Sequence, residues 1–295
     1  MAENSKIEWT DHTFNPWVGC TKVSPACDNC YAEAWAKRSG QVEWGDHPRR
    51  VTSDSYWRQP IKWNRAAERD GIRRKVFCAS LADVFDNQIP DVWRVQLWHL
   101  IWATPALDWL LLTKRPQNIA KMLPILPPAS WPWPNVWLGT TVENQQEADR
   151  RIPHLLAVPA KIRFLSCEPL LSAVDIRWAI SRNRLDIASG FQRRGRFSPG
   201  LETLHPINWV IAGGESGPHA RPMHPDWARS LRDQCAAAGV SFFMKQWGEW
   251  APYDRGRIDS QSLVVPGSTD TPIQRFGKKL AGALLDGREH KEFPA

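Results

Sequence analysis

The fold prediction starts from the stretch Cys20-Thr-Lys-Val-Ser-Pro-Ala-Cys27-Asp-Asn-Cys30-Tyr31, in which three cysteines are spaced Cys-x6-Cys-x2-Cys. The other three cysteines are scattered, and this distribution in a long chain favours a metal centre over a disulfide scaffold. Thiolates are soft ligands that suit zinc or an iron–sulfur cluster. Three thiolates are one short of a closed structural zinc site, whereas a [4Fe–4S] cluster held by three keeps one iron open. The spacing therefore favours a cluster on Cys20, Cys27 and Cys30.

The residues around these cysteines predict a loop that lies between a strand and a helix. Residues 31–37 are predicted to be helical, and Gly40 is predicted to end that helix. The open iron of such a cluster can chelate the amino and carboxylate groups of S-adenosylmethionine (SAM). A zinc site would need a further ligand, for which the candidates are His12, His47 and Asp28. That zinc site and a chance clustering of thiols are the alternatives.

Short apolar runs of about five residues recur along the chain, as expected for strands that are buried on both faces of a sheet. The predicted strands are Val76–Ser80, Trp109–Thr113, Val136–Thr140, Ile162–Ser166, Trp209–Ala212 and Val240–Met244. A short first strand is predicted to end near Val18-Gly19.

Helical patterns separate several of these strands. Asp91, Asn144 and Asp226 are predicted N-caps. Pro153 is predicted to break or kink the second of these helices, and Gly239 to end the third. The predicted apolar faces are Val92, Val95, Trp98 and Trp102 in the first helix and Trp227, Leu231 and Cys235 in the third. Repeated strand–helix–strand units predict an α/β fold with a partial or complete parallel (β/α) barrel, and a doubly wound open sheet is the competing arrangement.

Polar, reactive or small residues follow each predicted strand. They are Ser80, Asp83 and Asp86; Thr113, Lys114 and Arg115; Thr140, Thr141, Glu143 and Asn144; Ser166, Cys167 and Glu168; Gly213, Gly214, Glu215 and Ser216; and Lys245 and Gln246. In parallel α/β folds the carboxyl ends of the strands face the ligand. The repetition predicts a site at that end, with ordinary loop polarity as the alternative.

Several motifs resemble a known family. They are Ile7-Glu-Trp-Thr-Asp11, Asn15-Pro16, Gly19-Cys20, Cys27-x2-Cys30-Tyr31-Ala-Glu33, Gly213-Gly-Glu-Ser216 and the tail Gly277-Lys-Lys…Leu284-Leu-Asp-Gly-Arg288…Phe293-Pro294. They are similar to those of a phage-associated family with a three-cysteine motif, which is grouped with radical SAM proteins and whose reaction is undefined. The resemblance runs over nearly the whole chain, and it implies a barrel of radical SAM type.

The resemblance also implies cofactors and some of their contacts. Cys20, Cys27 and Cys30 would hold the [4Fe–4S] cluster, and Tyr31 would lie near the SAM adenine. The sequence departs from the commonest radical SAM pattern in two ways: the first cysteine gap is six rather than three residues, and Gly-Gly-Glu follows the sixth rather than the second strand. Ser80 or Asp83 is therefore expected to contact the SAM amino group.

Further site residues are expected from the later strand ends. Thr140, Thr141 and Glu143 are expected to contact the SAM ribose or carboxylate. Gly213, Gly214 and Glu215 are further candidates for cofactor binding. Cys167 is a candidate hydrogen-atom donor by analogy with radical SAM lyases, with a buried core thiol as the alternative. Glu168 is the stronger candidate for a ligand contact, because a carboxylate is rarely buried without a partner.

Composition bounds the class of protein. The chain has 295 residues, of which 42% are hydrophobic, so it can bury a large core. Its net charge of +7 permits a nucleic-acid partner but does not require one. The basic and aromatic residues of 57–65, continuing through 73–75, are a candidate for contacts with a phosphate backbone and bases. An amphipathic helix with a buried tryptophan is the alternative.

Neither a secretory signal nor a membrane span is predicted, so the expected location is the cytoplasm. Residues 1–295 are expected to form a single domain, with a basic insertion at about 181–206 and a C-terminal extension from about 252.

The leading functional hypothesis is a radical SAM enzyme that acts on an unknown substrate, with DNA or RNA as the first candidate, and that receives electrons from an external donor. The alternatives are a non-enzymatic nucleic-acid-binding protein with a structural metal, and a radical SAM enzyme that acts on a small molecule or on a partner protein.

Overall fold

A computed structural model describes residues 4–124, 131–181, 184–193, 206–252 and 273–295. Its strands are β1 His12–Phe14, β2 Trp17–Val18, β3 Arg50–Val51, β4 Arg74–Cys78, β5 Leu107–Thr113, β6 Val136–Thr141, β7 Ile162–Cys167, β8 Trp209–Gly213, β9 Ser241–Gln246, β10 Trp250–Pro252 and β11 Ile273–Arg275. Its helices are α1 Tyr31–Ser39, α2 Asp54–Trp57, α3 Gln59–Asp70, α4 Asp91–Trp102, α5 Ile119–Met122, α6 Gln145–Leu156, α7 Arg177–Ile180, α8 Arg184–Arg193, α9 Pro225–Ala238 and α10 Lys278–Ala281.

Within the described residues, seven strands form one sheet in the order β1-β4-β5-β6-β7-β8-β9. The strands that pair within it run parallel. The order follows the chain without reversal, whereas a doubly wound sheet reverses its strand order at a switch point. The α/β fold with a partial parallel (β/α) barrel is therefore confirmed.

The chain divides into two compact units. The first contains residues 1–140 and 157–163, and the second contains residues 141–156 and 164–295. Apolar strands form the core of each unit. Trp109, Leu110 and Leu111 in β5 are fully buried, and so are Val210 and Ile211 in β8. That residues 1–295 form a single domain stays a prediction.

The first strand of the sheet begins earlier than the sequence indicated. β1 pairs in parallel with β4, with His12 opposite Val76. The predicted strand end at Val18 belongs instead to β2, which pairs antiparallel with β3 in a separate two-stranded sheet. Pro16 lies between β1 and β2, and a proline has no N–H for a ladder hydrogen bond. The chain is therefore interrupted at Pro16 between β1 and β2. The apolar pattern of the sequence predicted a single strand here.

Strand β4 ends at Cys78 rather than at the predicted Ser80, because Ala79 adopts a positive φ of 62°. This conformation is uncommon for any residue except glycine. The amide of Ala79 donates to the carbonyl of Phe14 at 2.8 Å, and the residue is only 3% exposed. The chain therefore turns out of the sheet here, and Ser80 begins the loop that follows the strand.

We expect Ala79→Val to lower the free energy of unfolding by about 2 kcal/mol, because a β-branched side chain is strained at positive φ and overfills a buried position. Ala79→Gly is the matched control, since glycine adopts this conformation freely, and its effect should stay within about 1 kcal/mol. Chemical denaturation measures both variants. Equal stabilities for the two would contradict the backbone geometry at this position.

Helix α4 is present where predicted, but it buries a different face. Val92, Val95 and Trp102 are 60%, 43% and 44% exposed, whereas Leu97 and Ile101 are fully buried. Only Trp98 of the predicted face lies in the core. The cause is the buried side chain of Arg94. Its guanidinium group donates to three carbonyls of the preceding loop, on Val84, Asp86 and Ile89, and so turns the neighbouring residues inward.

The helix ends follow local sequence signals with two corrections. Asn144 caps α6 as predicted, since its Oδ1 accepts from the amide of Glu147 at 2.9 Å. Pro153 lies inside α6, so the predicted break is wrong, while the predicted kink stays a prediction. Gly40 and Gly239 terminate α1 and α9 in the left-handed conformation, which confirms both predictions.

The other correction concerns the predicted caps Asp91 and Asp226, which both lie just inside their helices. Pro90 is the N-cap of α4, and His224 is the N-cap of α9, where its Nδ1 accepts from the amide of Asp226 at 3.2 Å. In α9 Leu231 and Cys235 are buried as predicted, whereas Trp227 is only partly buried.

The C-terminal residues cover the edge of β9 within the second unit. Lys291 forms an antiparallel bridge with Phe243, and Met244 donates its amide to the carbonyl of His290 at 2.8 Å. Asp286 and Gly287 both have positive φ and form the turn that precedes this segment. This arrangement pairs backbone groups that an edge strand would otherwise leave open.

Two predicted irregular regions are only partly described. The basic insertion at 181–206 contains helix α8, and the extension from 252 contains β11 and α10. Residues 182–183, 194–205 and 253–272 lie outside the described residues. In the described part of the chain, no helix is both long enough and apolar enough to cross a membrane.

Candidate functional site

The three clustered cysteines lie on the loop between β2 and α1 in the first unit. Cys27 is the last residue of a short 3-10 turn, Pro25–Cys27, and Cys30 is the N-cap of α1. None of the three is in a disulfide, and Cys27 is buried while Cys20 and Cys30 are half-buried. The predicted order of strand, cysteine loop and helix is therefore present.

The sulfur of Cys20 is held by a buried arginine. Arg115 Nη1 donates to Cys20 Sγ at 3.4 Å and to Asp83 Oδ2 at 3.2 Å, and Arg115 Nη2 donates to the carbonyl of Thr21 at 2.9 Å. Arg115 is 7% exposed and Asp83 is 4% exposed. Hydrogen bonds in such a water-poor environment are stronger than on the surface. The loop after β5 is thus tied directly to the cysteine loop.

A second buried arginine braces the same loop. Arg49 donates from Nε and Nη2 to Asp86 Oδ2 at 3.0 and 2.7 Å, and from Nη2 to Thr21 Oγ1 at 2.7 Å. The side chain of Arg49 is fully buried and that of Asp86 is 4% exposed. With Arg115 and Asp83 they form a network of two cations and two anions, which we call the arginine–aspartate network. Its formal charges cancel, as a buried ionic group requires.

These surroundings act on the Cys20 thiol in opposite directions. Burial and the nearby carboxylate of Asp83 raise its pKa to about 11, although the Arg115 charge and hydrogen bond lower it. Burial lowers the pKa of Arg115, but the charges of Asp83, Cys20 and Asp86 outweigh burial and raise it above its ordinary value. Arg115 is therefore a permanent cation beside the sulfur.

Tyr31 and Ser80, both expected to contact SAM, lie against each other. The Tyr31 hydroxyl donates to the carbonyl of Ser80 at 2.7 Å, while 59% of the tyrosine is exposed. Asn15 fixes the loop from the other side, because its Nδ2 donates to Ser80 Oγ at 3.1 Å and its Oδ1 accepts from the amide of Leu81 at 2.7 Å. The strand-end loop after β4 is thereby placed beside the start of α1.

Asp83 and Thr140 have structural partners. The carboxylate of Asp83 accepts from the Thr113 hydroxyl at 2.7 Å and from the amides of Phe85 and Lys114, in addition to Arg115. Thr140 Oγ1 donates to the carbonyl of Thr113 at 2.8 Å, and Thr140 is fully buried. Their roles toward SAM stay predictions.

The donor chemistry of the cysteine loop fits an iron–sulfur cluster: it offers three free thiols, one of which accepts a hydrogen bond from a cation. Within the described residues, no group of three or more His, Cys, Asp and Glu side chains is arranged to hold one metal ion. The ligands of a single ion must converge on one point, whereas the thiolates of a cluster bind different irons. Of the zinc candidates, His12 stacks on Trp63 with ring centroids 4.4 Å apart, and His47 pairs with Glu43.

In the second unit, Glu143 takes part in a buried ion pair. Arg151 Nη1 donates to Glu143 Oε2 at 2.7 Å and to the carbonyl of Thr141 at 2.9 Å. Glu143 is fully buried and Arg151 is 1% exposed, and Arg151 Nε lies 3.0 Å from Glu147. The buried hydroxyl of Thr141 has no hydrogen-bond partner among the described residues. An unsatisfied buried hydroxyl fits the expected ligand contact at this residue.

The ends of β7, β8 and β9 carry a polar cluster that contains Glu168. Lys245 Nζ lies 2.7 and 2.9 Å from the two carboxylate oxygens of Glu168. Gln246 Nε2 donates to Glu168 Oε1 at 3.2 Å and to Ser216 Oγ at 3.0 Å. The Glu168 and Lys245 side chains are 17% and 18% exposed. The carboxylate therefore has the partner that its burial requires, and part of it still faces solvent.

The Gly-Gly-Glu motif has an evident packing role. A Cβ on Gly214 would lie 1.9 Å from the carbonyl oxygen of Trp247, so no larger residue fits there. A Cβ on Gly213 would lie 3.3 Å from the Glu168 side chain. Glu215 accepts from the amide, Nε and Nη2 of Arg221 at 2.8, 3.0 and 2.7 Å. Cofactor binding by these three residues stays a prediction.

Cys167 is fully buried at the end of β7. Burial raises the pKa of its thiol, with smaller contributions from Cys235 and Glu143. Full burial is what the alternative interpretation, a packed core thiol, predicts. The proposed role as a hydrogen-atom donor stays a prediction.

The basic and aromatic stretch at 57–75 matches its structural alternative. Trp63 lies in α3, is 4% exposed and stacks on His12, so it is closed to a nucleic-acid base. Arg73 pairs with Asp108 at 2.6 Å. The arginines of the insertion at 182, 194 and 196 lie outside the described residues, and nothing is described of the side chains at 184 and 193.

Arg49 and Thr21 escaped the sequence analysis. Thr21 lies inside the cysteine stretch but carries no signal of its own. Arg49 follows no predicted strand, and no spacing connects it to the cysteines. In the sequence, Arg115 is one of many polar residues that follow a predicted strand. The sequence offers as a signal only the two aspartates Asp83 and Asp86 in the loop after β4. Their need for cationic partners follows from burial, which only the structure shows.

Comparison with known proteins gives one family match. A family model described as a protein of unknown function (DUF5131) matches residues 4–294. No curated protein matches the sequence significantly. Phage association and a family-wide three-cysteine motif are not part of this match.

Solved structures of spore photoproduct lyase are similar. The lyase complexed with dinucleoside spore photoproduct has a TM-score of 0.45 and 13% identity, over 94% of this chain and 72% of that chain. A double mutant with bound AdoMet and the same dinucleoside has a TM-score of 0.42 and 12% identity, over the same shares of the two chains. Likeness at this level leaves the reaction of this chain open.

Proposed function

This chain belongs to the family of proteins of unknown function DUF5131, and we propose that it is a radical SAM-type iron–sulfur enzyme. The observation that carries the proposal is the cysteine loop. Three free thiols lie between a strand and a helix, and a buried arginine donates to the first of them. Three thiolates leave an iron open to a small molecule, whereas a structural zinc site is closed by four ligands.

When bound, the cluster would supply one electron to SAM, whose C5′–S bond would break to give methionine and a 5′-deoxyadenosyl radical that abstracts hydrogen from a substrate. The protein would bind and orient the reactants. Cys20, Cys27 and Cys30 would hold the cluster. Tyr31, whose ring is largely exposed beside Cys30, would contact the SAM adenine. In the first unit Ser80 and Asp83, which follow β4, and Thr140, which is the last residue but one of β6, would complete the SAM contacts.

In the second unit we assign the SAM or substrate contacts to Thr141, Glu143, Gly213, Gly214 and Glu215. The unsatisfied Thr141 hydroxyl supports its assignment.

Catalytic roles are proposed for two adjacent residues of the second unit. Glu168 would contact the substrate and, with Lys245, orient its polar groups. Cys167 would donate a hydrogen atom from its S–H bond to a product radical. The thiyl radical left on Cys167 would return to the thiol with one electron from the external donor and one proton. Full turnover of the true substrate by Cys167→Ala would refute this donor role.

The substrate class that we favour is nucleic acid, because the net charge is +7. Electrons would come from an external donor. A radical SAM enzyme that acts on a small molecule or on a partner protein, and a binding protein with a structural metal, are the competing functions. Retention on DNA or RNA that weakens steeply with salt would favour the nucleic-acid substrate. Salt-independent retention, or none, would favour the others.

We expect anaerobically reconstituted protein to form 5′-deoxyadenosine from SAM when dithionite is the reductant. The reason is that an open iron and a bound SAM together suffice for reductive cleavage, even without the true substrate. Liquid chromatography with mass spectrometry measures the product. Samples without SAM, without dithionite or without iron are the controls.

If no 5′-deoxyadenosine forms, the metal content of the protein distinguishes the remaining explanations. Iron and sulfide in the protein without 5′-deoxyadenosine would mean a cluster protein that does not cleave SAM. Zinc in place of iron, bound at the same cysteines, would support the structural-metal alternative and overturn the proposed enzyme.

A further inference from the structure

The guanidinium group of Arg115 connects three groups of the first unit. It donates to Cys20 Sγ, to the Asp83 carboxylate and to the Thr21 carbonyl, at 3.4, 3.2 and 2.9 Å. Arg115 lies just after β5, which ends at Thr113. It is 95 residues away from Cys20 in the sequence. A single side chain therefore fixes both the backbone and the sulfur of the first cysteine.

We propose that Arg115 is a positioning residue for Cys20 and that its N–H···S hydrogen bond raises the reduction potential of the bound cluster. The cluster itself rests on the proposed function. A hydrogen bond to a ligand sulfur stabilises negative charge on it, and reduction adds negative charge, so the donor favours the reduced state. The arginine–aspartate network is neutral only when Arg115 is counted, and within it Arg115 is the group whose N–H points at the sulfur.

An arginine is required by this geometry. Its planar guanidinium group carries five N–H donors in fixed directions, whereas lysine carries one ammonium nitrogen. In Arg115, Nη1 faces the sulfur and Asp83, while Nη2 faces the Thr21 carbonyl. The ammonium nitrogen of a lysine at position 115 would end one bond short of the place of Nη1. It would keep a positive charge near Asp83 but would not reach the sulfur.

Arg49 provides a matched control in the same network. It donates to Asp86, to the Thr21 hydroxyl and to the carbonyls of Gly45 and His47. None of these acceptors is a sulfur. Arg49→Lys therefore loosens the same loop and keeps the same charge, but leaves the N–H···S bond of Arg115 in place.

The first experiment measures the midpoint potential of the reconstituted cluster without SAM, by a redox titration followed by electron paramagnetic resonance. We expect Arg115→Lys to shift the reduction equilibrium about tenfold toward the oxidised cluster, which is about 59 mV for a one-electron couple. Arg49→Lys should keep the wild-type potential. An unchanged potential in Arg115→Lys, or an equal shift in Arg49→Lys, would overturn the tuning role.

The second experiment needs no cluster. Iodoacetamide alkylation of the apoprotein, followed by peptide mass spectrometry, measures the accessibility of Cys20 with Cys235 as an internal reference. Each rate is divided by the thiolate fraction taken from the pH–rate profile of the same variant, because the thiolate is the reactive form. We then expect Cys20 to react about threefold faster in Arg115→Lys than in Arg49→Lys, because only the former frees the sulfur itself. Equal rates would refute the positioning role. If the wild type binds no iron, the proposed function fails, and this experiment still decides whether Arg115 positions Cys20.

Circular dichroism and thermal unfolding verify that each variant is folded. If Arg115→Lys fails to fold, the double variant Arg115→Met with Asp83→Asn replaces it. That pair removes one positive and one negative charge together, so the network stays neutral, and methionine cannot donate to the sulfur. Both experiments then carry the same expectations and the same contradicting outcomes.

Discussion

Replacing Cys20, Cys27 or Cys30 by alanine is expected to reduce the iron and sulfide of the reconstituted protein to background and to abolish its brown colour. Each substitution leaves two thiolates for a cluster that needs three. Colorimetric iron and sulfide assays, with the absorbance of the cluster, measure the loss. Formation of 5′-deoxyadenosine should disappear with it.

Cys235→Ala is the control for these variants. Cys235 lies on the buried face of α9 in the second unit, and burial raises the pKa of its thiol to about 12, as for an ordinary core cysteine. The variant should keep full iron and sulfide. Full iron retention in all three loop variants would contradict the cluster assignment, and equal loss in Cys235→Ala would show a general effect of folding.

Glu143→Ala is expected to lower the free energy of unfolding by about 3–5 kcal/mol, because it leaves the guanidinium of Arg151 buried without its main partner. Glu143 is fully buried and Arg151 is 1% exposed. The carboxylate of Glu147, 3.0 Å from Arg151 Nε, keeps the loss near the lower end of that range. Denaturant unfolding monitored by circular dichroism measures the change.

Asp233→Ala is the matched control in the same unit. Asp233 pairs with Arg232 at 2.8 Å, but the carboxylate is 66% exposed. An exposed ion pair contributes little, so this variant should stay within about 1 kcal/mol of the wild type. A loss for Glu143→Ala as small as that for Asp233→Ala would mean that the buried pair is not formed.

Several elements follow from short stretches of sequence. The apolar runs predict the sheet strands because a strand buried on both faces excludes polar residues over its whole length. Gly40, Gly239 and Asn144 mark helix ends because a left-handed residue or a capping side chain satisfies backbone groups within one turn. The sequence also predicts that the three clustered thiols lie on one loop, because they are close together in the chain. These features depend on neighbours a few residues away.

Other features needed the tertiary structure. The split between β1 and β2 depends on which distant strand each segment pairs with, β4 in one case and β3 in the other. The buried face of α4 was set by Arg94 and the loop that it binds, and the apolar pattern alone selected the wrong side.

By itself the sequence determined most of the strands and the cysteine loop, because burial and capping are encoded locally. The strand order, which excludes a doubly wound sheet, was decided by the tertiary structure. Only the tertiary structure decided what surrounds Cys20. Arg115 is 95 residues from it in sequence, and Arg49 is 37 residues from Asp86. Long charged side chains pair with groups on distant loops that the fold brings together. A carboxylate requires a cationic partner only when the fold buries it away from water.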